Sequence, residues 1–220
     1  MSFDAILFDF DGVLIESEAV GNRQIAAYLT SIGHPTTPAD SFANFMGLSG
    51  AAFTDAIERW IGRSLPDDFH VARKAEDERV MRAGVDAVEG AVRFVLDLPP
   101  TLPKAIASSS STAWIARHLD HIGLRAAFGD RLFSGKEHVV NGKPAPDIYL
   151  HAAAALGVEI ARCVIIEDSP VGATGAVASG AHVVGFVGGT HCGPDHADKL
   201  RAIGVHDVAT DFAEIARLIG

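Results

Sequence analysis

The sequence predicts an α/β protein: a doubly wound parallel sheet with a helical segment inserted after the first strand. Short apolar runs are each followed by a helical pattern, which is the alternation of parallel strands and crossover helices. The stretch 16–86 breaks this alternation, because it holds amphipathic helical patterns and no convincing strand. We therefore expect a Rossmann-like core domain over 1–15 and 87–220, and a helical domain over 16–86. A chain of 220 residues is long enough for both.

Six apolar runs are candidate strands. They are too apolar for one face of the sheet to meet water, as expected of strands in a parallel sheet covered on both faces. The runs are 5–8, 104–107, 131–133, 163–166, 182–186 and 207–209. The residues that follow them should meet at one edge of the sheet, which is where such folds bind ligands.

Helical patterns begin shortly after several of these runs. One starts near Thr112, a possible N-cap, and ends at Gly123. The segments 148–156 and 171–178 show the same periodicity. Helix N-termini should therefore lie beside the strand ends. The helical segment 16–86 follows the first of these strand ends directly, so we expect it to cover that edge of the sheet.

Charge and cysteine content restrict the possible partners. A net charge of −10 argues against nucleic acid and anionic membranes, since both require clustered Lys and Arg. The first apolar run is short and interrupted by acidic residues, so it resembles neither a signal peptide nor a membrane span. Cys163 and Cys192 have no paired spacing, which favours a reducing compartment. We expect a cytoplasmic monomer that acts on a small molecule.

The first strand ends in two carboxylates. Asp9 and Asp11 are two residues apart, and Gly12 permits a tight turn after them. Two like charges buried this close together are costly unless a cation or a proton intervenes, and a divalent metal ion is the simplest solution. The alternative is an ordinary turn, because Asp and Gly are common in turns.

Ser108 and Ser109 follow the second run directly, just ahead of a helix. A hydroxyl group and backbone N–H groups in such a place can hold a phosphate oxygen. The alternative is a run of helix-capping residues, which would account for Ser110, Ser111 and Thr112.

Lys143 precedes two prolines and an aspartate in the segment Gly-Lys-Pro-Ala-Pro-Asp. The prolines restrict the chain ahead of a helix and give the lysine a defined position. An isolated lysine is more often a solvated surface charge, as we expect of Lys136.

Glu167 and Asp168 follow the apolar run 163–166, so a second strand also ends in paired carboxylates. An acidic residue here could merely interact with the dipole of the next helix. Together with Asp9 and Asp11, however, these residues make an oxygen-rich site of the kind that Mg2+ prefers.

The four segments, in this order, resemble the four motifs of the haloacid dehalogenase superfamily, including DxDGxL for residues 9–14. The resemblance implies that Asp9 attacks phosphorus to leave an aspartyl phosphate, and that Asp11 shuttles the proton. Ser108, Ser109 and Lys143 would bind the phosphate. The implied Mg2+ ligands are Asp9, Asp11, Asp168 and Glu167. The helical insertion would be a cap domain that opens and closes over the core, with hinges at 15–17 and 85–88.

The residues distinguish between several activities that this resemblance allows. The dehalogenases lack the second aspartate of motif I, so Asp11 argues against that activity. The β-phosphoglucomutases carry a histidine after motif I and an arginine in a cap loop, where this chain has Gly21 and the segment 46–50. We therefore favour a Mg2+-dependent phosphatase of a sugar phosphate or phosphorylated sugar acid over a phosphomutase. A non-catalytic phosphate-binding module is the remote alternative.

The glycine-rich segment 188–196 contains His191, Cys192 and His196. Its spacing matches no standard zinc site. As a loop after a strand, it could instead border the pocket.

Overall fold

The computed structural model describes residues 3–45, 48 and 50–220 and divides the chain into two compact units. One unit comprises Met1–Glu16 with Asp86–Gly220, and the other comprises Ser17–Val85. Of the segment 46–50, Met46, Gly47 and Ser49 lie outside the described residues. No helix in the described part has both the length and the apolar character needed to cross a membrane.

Six parallel strands form the sheet of the first unit, in the order β3-β2-β1-β4-β5-β6. They are β1 (Ala5–Phe8), β2 (Lys104–Ser108), β3 (Leu132–Ser134), β4 (Cys163–Glu167), β5 (His182–Phe186) and β6 (Asp207–Ala209). The predicted doubly wound α/β fold is thus confirmed. The strand order reverses direction beside β1, so ligands should bind at its carboxyl end.

Eleven α-helices are present among the described residues. In the second unit they are α1 (Ser17–Ser31), α2 (Pro38–Phe45), α3 (Gly50–Ile61) and α4 (Phe69–Ala83). In the first unit they are α5 (Ala91–Asp97), α6 (Thr112–His121), α7 (Arg125–Phe128), α8 (Asp147–Leu156), α9 (Pro170–Ser179), α10 (His196–Ile203) and α11 (Phe212–Ile219). A 3-10 turn, Ile160–Arg162, precedes β4.

Several predicted boundaries require correction. β2, β3 and β4 each end one residue later than predicted, at Ser108, Ser134 and Glu167. β3 begins at Leu132, because the N–H of Arg131 bonds to the carbonyl of Phe128 in the turn that ends α7. The N-cap of α6 is Ser111 and not Thr112: Ser111 has extended backbone angles, and its Oγ accepts the N–H of Trp114 at 3.3 Å. Thr112 is the first helical residue.

Hydrophobic residues cover both faces of the central strand. Leu7 belongs to a cluster that includes Ile148 and Tyr149 of α8. Phe8 points to the opposite face, where its ring packs edge-on against Phe128 with centroids 5.7 Å apart. β1 is buried throughout, as expected of a strand covered on both sides.

The second unit has a core of its own. Its buried residues are Ile25, Leu29, Phe45, Ala56, Ile57 and Phe69. Trp60 packs against this cluster, and its indole N–H donates to Oγ1 of Thr36 at 3.0 Å, so the polar edge of the ring is satisfied.

Candidate active site

Acidic and hydroxyl side chains collect at the carboxyl edge of the sheet. Asp9 follows β1 directly, Ser108 is the last residue of β2, and Glu167 is the last residue of β4. Phe8 aligns with Ile106 of β2 and Ile166 of β4, so these strands end at similar heights. β2 and β4 each run one residue beyond the predicted apolar runs and include the polar residue.

Lys143 connects the two acidic strand ends. Its Nζ lies 2.7 Å from Oδ1 of Asp9 and 2.6 Å from Oε1 of Glu167, and its side chain is only 4% exposed. The peptide bond from Lys143 to Pro144 is cis. Through the two contacts of Lys143, the loop before α8 places a buried cation at the end of β1.

Burial and charge act in opposite directions on this pair. Burial raises the pKa of Asp9 well above its ordinary value, and the Lys143 ammonium opposes that rise. Burial acts to lower the pKa of Lys143, but the carboxylates of Asp9 and Glu167 together raise it well above its ordinary value. Lys143 is therefore protonated at neutral pH.

Glu167 is fully buried and held by several donors. Besides Lys143, its Oε1 accepts the hydroxyl of Tyr149 at 2.9 Å. Its Oε2 accepts the backbone N–H of Ser169 at 2.9 Å and the hydroxyl of the same residue at 3.1 Å. A side chain at Gly172 would collide with the Glu167 carboxylate. Both oxygens are therefore fixed by protein groups.

Asp168 is bound from two sides by histidines. Nε2 of His191 lies 2.7 Å from its Oδ2, and Nε2 of His196 lies 2.5 Å from its backbone oxygen. The sequence pointed to this loop only as a possible pocket border or a zinc site. No sequence signal links either histidine to Asp168, because β5 separates the two segments.

Three carboxylates could share a cation here. Asp9, Glu167 and Asp168 are all buried, and each offers one oxygen within 4.8 Å of the others. Hard oxygen donors alone suit Mg2+. The Asp11 carboxylate is not in this group of three.

Asp11 interacts with residues that follow β2. Its Oδ2 accepts the hydroxyl of Ser110 at 2.6 Å and lies 3.4 Å from Oγ of Ser108. Its Oδ1 accepts the indole N–H of Trp114 at 3.0 Å. The sequence suggested Ser110 only as a capping residue, and it predicted neither of these contacts with Asp11.

The two predicted phosphate-binding serines differ in exposure. Ser108 is 1% exposed, and its Oγ accepts the backbone N–H of Ser110 at 3.0 Å, whereas Ser109 is exposed. The carbonyl of Ser108 accepts the N–H of Gly135 at 2.7 Å. The loop after β2 is thereby tied to the segment after β3.

Comparisons with known proteins identify the family. A model described as haloacid dehalogenase-like hydrolase matches residues 3–180. The 6-phosphogluconate phosphatase of Escherichia coli (strain K12) is 27% identical over 98% of this chain and 92% of its own length. Hexitol phosphatase A of the same organism is 32% identical over 84% of this chain and 83% of its own. A crystal structure of a HAD family hydrolase from Deinococcus radiodurans R1, with bound phosphate and sodium, is 32% identical, with a TM-score of 0.88 over 98% of this chain and 95% of that one. This chain belongs to the haloacid dehalogenase-like hydrolase family.

Proposed function

We propose that this hydrolase is a Mg2+-dependent phosphatase of a small phosphate monoester, and that it works through an aspartyl phosphate on Asp9. The observation that carries the proposal is the position of Lys143. Its ammonium lies between Asp9 and Glu167 at the carboxyl end of the central strands, and these two carboxylates form an acidic cluster with Asp168. A nucleophilic carboxylate, a fixed cation and an oxygen-only metal site are what transfer of a phosphoryl group requires.

In the first step, Asp9 is the nucleophile. Lys143 holds its Oδ1, which leaves the other oxygen to attack phosphorus opposite the leaving group. The bond between phosphorus and the ester oxygen breaks, and Asp11 gives that oxygen a proton. The products are the alcohol and a phosphoryl group bonded to Asp9.

In the second step, Asp11 acts as a base. It takes a proton from a water molecule whose oxygen attacks phosphorus, and the bond from phosphorus to Asp9 breaks. Inorganic phosphate leaves, and both carboxyl groups return to their starting protonation states. Before either transfer, Asp11 must exchange its contacts with Ser110 and Trp114 for the leaving group or water.

The phosphoryl oxygens must be stabilised by cations or by hydrogen-bond donors. We assign Ser108, the backbone of Ser109 and Lys143 to them, because the two serines lie at the end of β2, next to β1, and Lys143 contacts Asp9. Such preorganised donors stabilise the charge on the equatorial oxygens in the transition state.

We assign Asp9 and Asp168 as direct ligands of Mg2+. Glu167 also fits by distance, but four protein donors already bind its oxygens, so we assign it to holding Lys143 and Tyr149. Asp11 remains a predicted ligand. When bound, the ion supplies positive charge to the phosphoryl oxygens.

A phosphorylated sugar or sugar acid is the proposed substrate class. The named activities of the two curated relatives, towards 6-phosphogluconate and hexitol phosphates, support it. We further propose that the unit Ser17–Val85 is a cap domain that selects the leaving group, with hinges at 15–17 and 85–88.

The test is phosphate release from a panel of sugar phosphates and phosphorylated sugar acids, with Mg2+ and with a chelator. Release that depends on Mg2+ is expected. Glucose 1-phosphate with its bisphosphate serves as the mutase control: isomerisation without net release would reject the phosphatase in favour of the mutase. Binding of phosphate without turnover of any ester would identify a non-catalytic module.

A further inference from the structure

We propose that His191 and His196 are positioning residues, which hold Asp168 in the orientation that binds Mg2+. The inference rests on the proposed function and adds two residues from outside the family motifs. Neither histidine would touch the substrate. Their effect would be on the affinity of the protein for the metal ion.

His191 fixes the carboxylate. Its Nε2 lies 2.7 Å from Oδ2 of Asp168, and both side chains are 2% exposed. A carboxylate can only accept in this contact, so Nε2 carries the proton and donates it. A buried donor of this kind restricts the rotation of the Asp168 side chain.

Two glycines define the place of the His191 ring. A Cβ added at Gly12 would lie 2.9 Å from Cε1 of His191 and would collide with the Asp168 carboxylate. A Cβ added at Gly189 would lie 2.6 Å from Nδ1 of His191. Gly12 also has φ +83°, a conformation that other residues rarely adopt. The His191 ring therefore has room because neither Gly12 nor Gly189 carries a side chain.

His196 fixes the backbone of the same residue. It is the first residue of α10 and is 2% exposed, and its Nε2 lies 2.5 Å from the carbonyl oxygen of Asp168. A carbonyl oxygen can only accept, so this histidine also donates from Nε2. Asp168 is thus anchored at its main chain and at its side chain by two residues that lie on either side of a short loop.

Residues that orient a metal ligand contribute strongly to the affinity of a protein for its metal ion. Removing a residue of this kind costs about 10-fold to 100-fold in affinity or activity. Without His191, the Asp168 carboxylate would lose the donor that lies 2.7 Å from its Oδ2.

The same loop also offers a sulfur ligand. Sγ of Cys192 lies 3.3 Å from Nε2 of His191, and His191, Cys192 and His196 each have a ligand atom within 4.8 Å of the others. In both histidines, however, Nε2 already contacts Asp168. Positioning therefore accounts for the contacts better than a separate thiophilic metal site does.

The experiment measures Mg2+ binding by calorimetry without substrate, for the full chain and for paired variants. His191→Leu removes the donor, whereas His191→Gln keeps one on a side chain of similar reach; His196→Leu and His196→Gln form the second pair. His70→Leu, at an exposed position in α4, is the matched control. Circular dichroism and melting temperature establish that each variant is folded.

We expect each leucine variant to raise the Mg2+ dissociation constant by about 10-fold to 100-fold, with partial rescue in the glutamine variants. At saturating Mg2+, kcat should largely recover, because neither histidine takes part in the reaction.

Unchanged Mg2+ affinity in folded His191→Leu and His196→Leu would overturn the proposal. So would a Co2+ thiolate charge-transfer band that disappears in Cys192→Ser, since the loop would then be a metal site of its own. Wild-type protein that binds no Mg2+ would also overturn it. Mg2+ binding with the expected variant effects, but without hydrolysis of any ester, would reject only the phosphatase.

Discussion

At the scale of single residues, the site concentrates negative charge in a buried place. Asp9, Glu167 and Asp168 are at most 6% exposed, and Lys143 is the cation that contacts two of them. Buried carboxylates are expensive unless paired, so the arrangement favours a metal ion as the second source of positive charge.

The nucleophile is tested by Asp9→Asn. The amide is close in volume to the carboxylate but cannot form the phosphoryl bond, so we expect phosphate release to fall by about 10^4-fold or more. The assay is release from the best ester of the panel, with circular dichroism as the test of folding. The control Asp130→Asn, at an exposed carboxylate, should keep full activity. Substantial turnover by folded Asp9→Asn would reject the mechanism.

The buried ion pairs are tested by Lys143→Met, a substitution of similar length. In the absence of Mg2+, it leaves Asp9 and Glu167 without their shared cation, and we expect a loss of about 3–5 kcal/mol in the free energy of unfolding. Urea denaturation measures this. Lys136→Met, at an exposed position, should stay within about 0.5 kcal/mol of wild type. Equal stabilities for the two variants would show that Lys143 does not compensate the buried charge.

His118 predicts a pH dependence of stability. The ring is fully buried beside Trp114, neither of its nitrogens has a hydrogen-bond partner among the described residues, and burial lowers its pKa from 6.5 to about 4. Below pH 6.5, His118 is protonated in the unfolded chain but stays neutral in the folded chain. The free energy of unfolding therefore falls as the pH drops towards 4. The contribution is about 1.4 kcal/mol per pH unit within that window.

The measurement compares wild type with His118→Leu by urea denaturation at several pH values between 7.5 and 4.5. The variant should lose less stability on acidification. The control His70→Gln, at an exposed position, should follow the wild-type curve. Parallel curves for wild type and His118→Leu would contradict the assignment.

At the scale of elements, the start of α9 supports the end of β4. Ser169 caps the helix, since its Oγ accepts the N–H of Gly172 at 3.0 Å, and it also binds Glu167. The absence of a side chain at Gly172 lets the Glu167 carboxylate lie against the first turn.

Gly172→Ala tests this close approach. The added methyl group would displace Glu167 and, through it, Lys143, so we expect both kcat and melting temperature to fall. Gly21→Ala is the matched control: that glycine lies within α1 with nothing within 4 Å of an added Cβ, and alanine should stabilise the helix by about 0.5–1 kcal/mol. A Gly172→Ala protein as active and stable as wild type would show that the carboxylate has room to move.

At the scale of the whole molecule, the two segments of the first unit that flank the stretch 17–85 in the chain are hydrogen-bonded to each other. The N–H of Glu16 donates to the carbonyl of Asp86 at 3.0 Å, and the N–H of Val88 donates to the carbonyl of Leu14 at 3.1 Å. The chain therefore leaves the first unit and returns to it at adjacent positions.

This pairing makes it possible to test the proposed cap domain by deletion. A short Gly-Ser linker can replace 17–85, because its two ends would start from hydrogen-bonded neighbours. We expect the shortened protein to hydrolyse a generic aryl phosphate with Mg2+ but to lose discrimination among sugar phosphates, since the residues proposed to select the leaving group would be gone. Relative kcat/KM values across the panel measure this. Undiminished discrimination would place the specificity residues in the core.

The sequence by itself determined the class of the fold and the residues of the four motifs. Buried parallel strands are uniformly apolar, so six runs stood out, and polar residues at their ends marked the edge of the sheet. The predicted strands were runs of apolar residues, so each prediction ended before the first polar residue. For this reason β2 and β4 extend one residue beyond their predicted ends, to Ser108 and Glu167.

Only the tertiary structure decided which other residues support the site. Ser110 and Trp114 reach Asp11 from a different strand end, and His191 and His196 reach Asp168 from the loop after β5 and the start of α10. Such contacts depend on the paths of loops in space, and spacing along the chain does not encode them. The carboxyl ends of parallel strands lie at one edge of the sheet, so the sequence could predict that the residues there are close together. The contacts made by loops depend instead on how individual side chains pack.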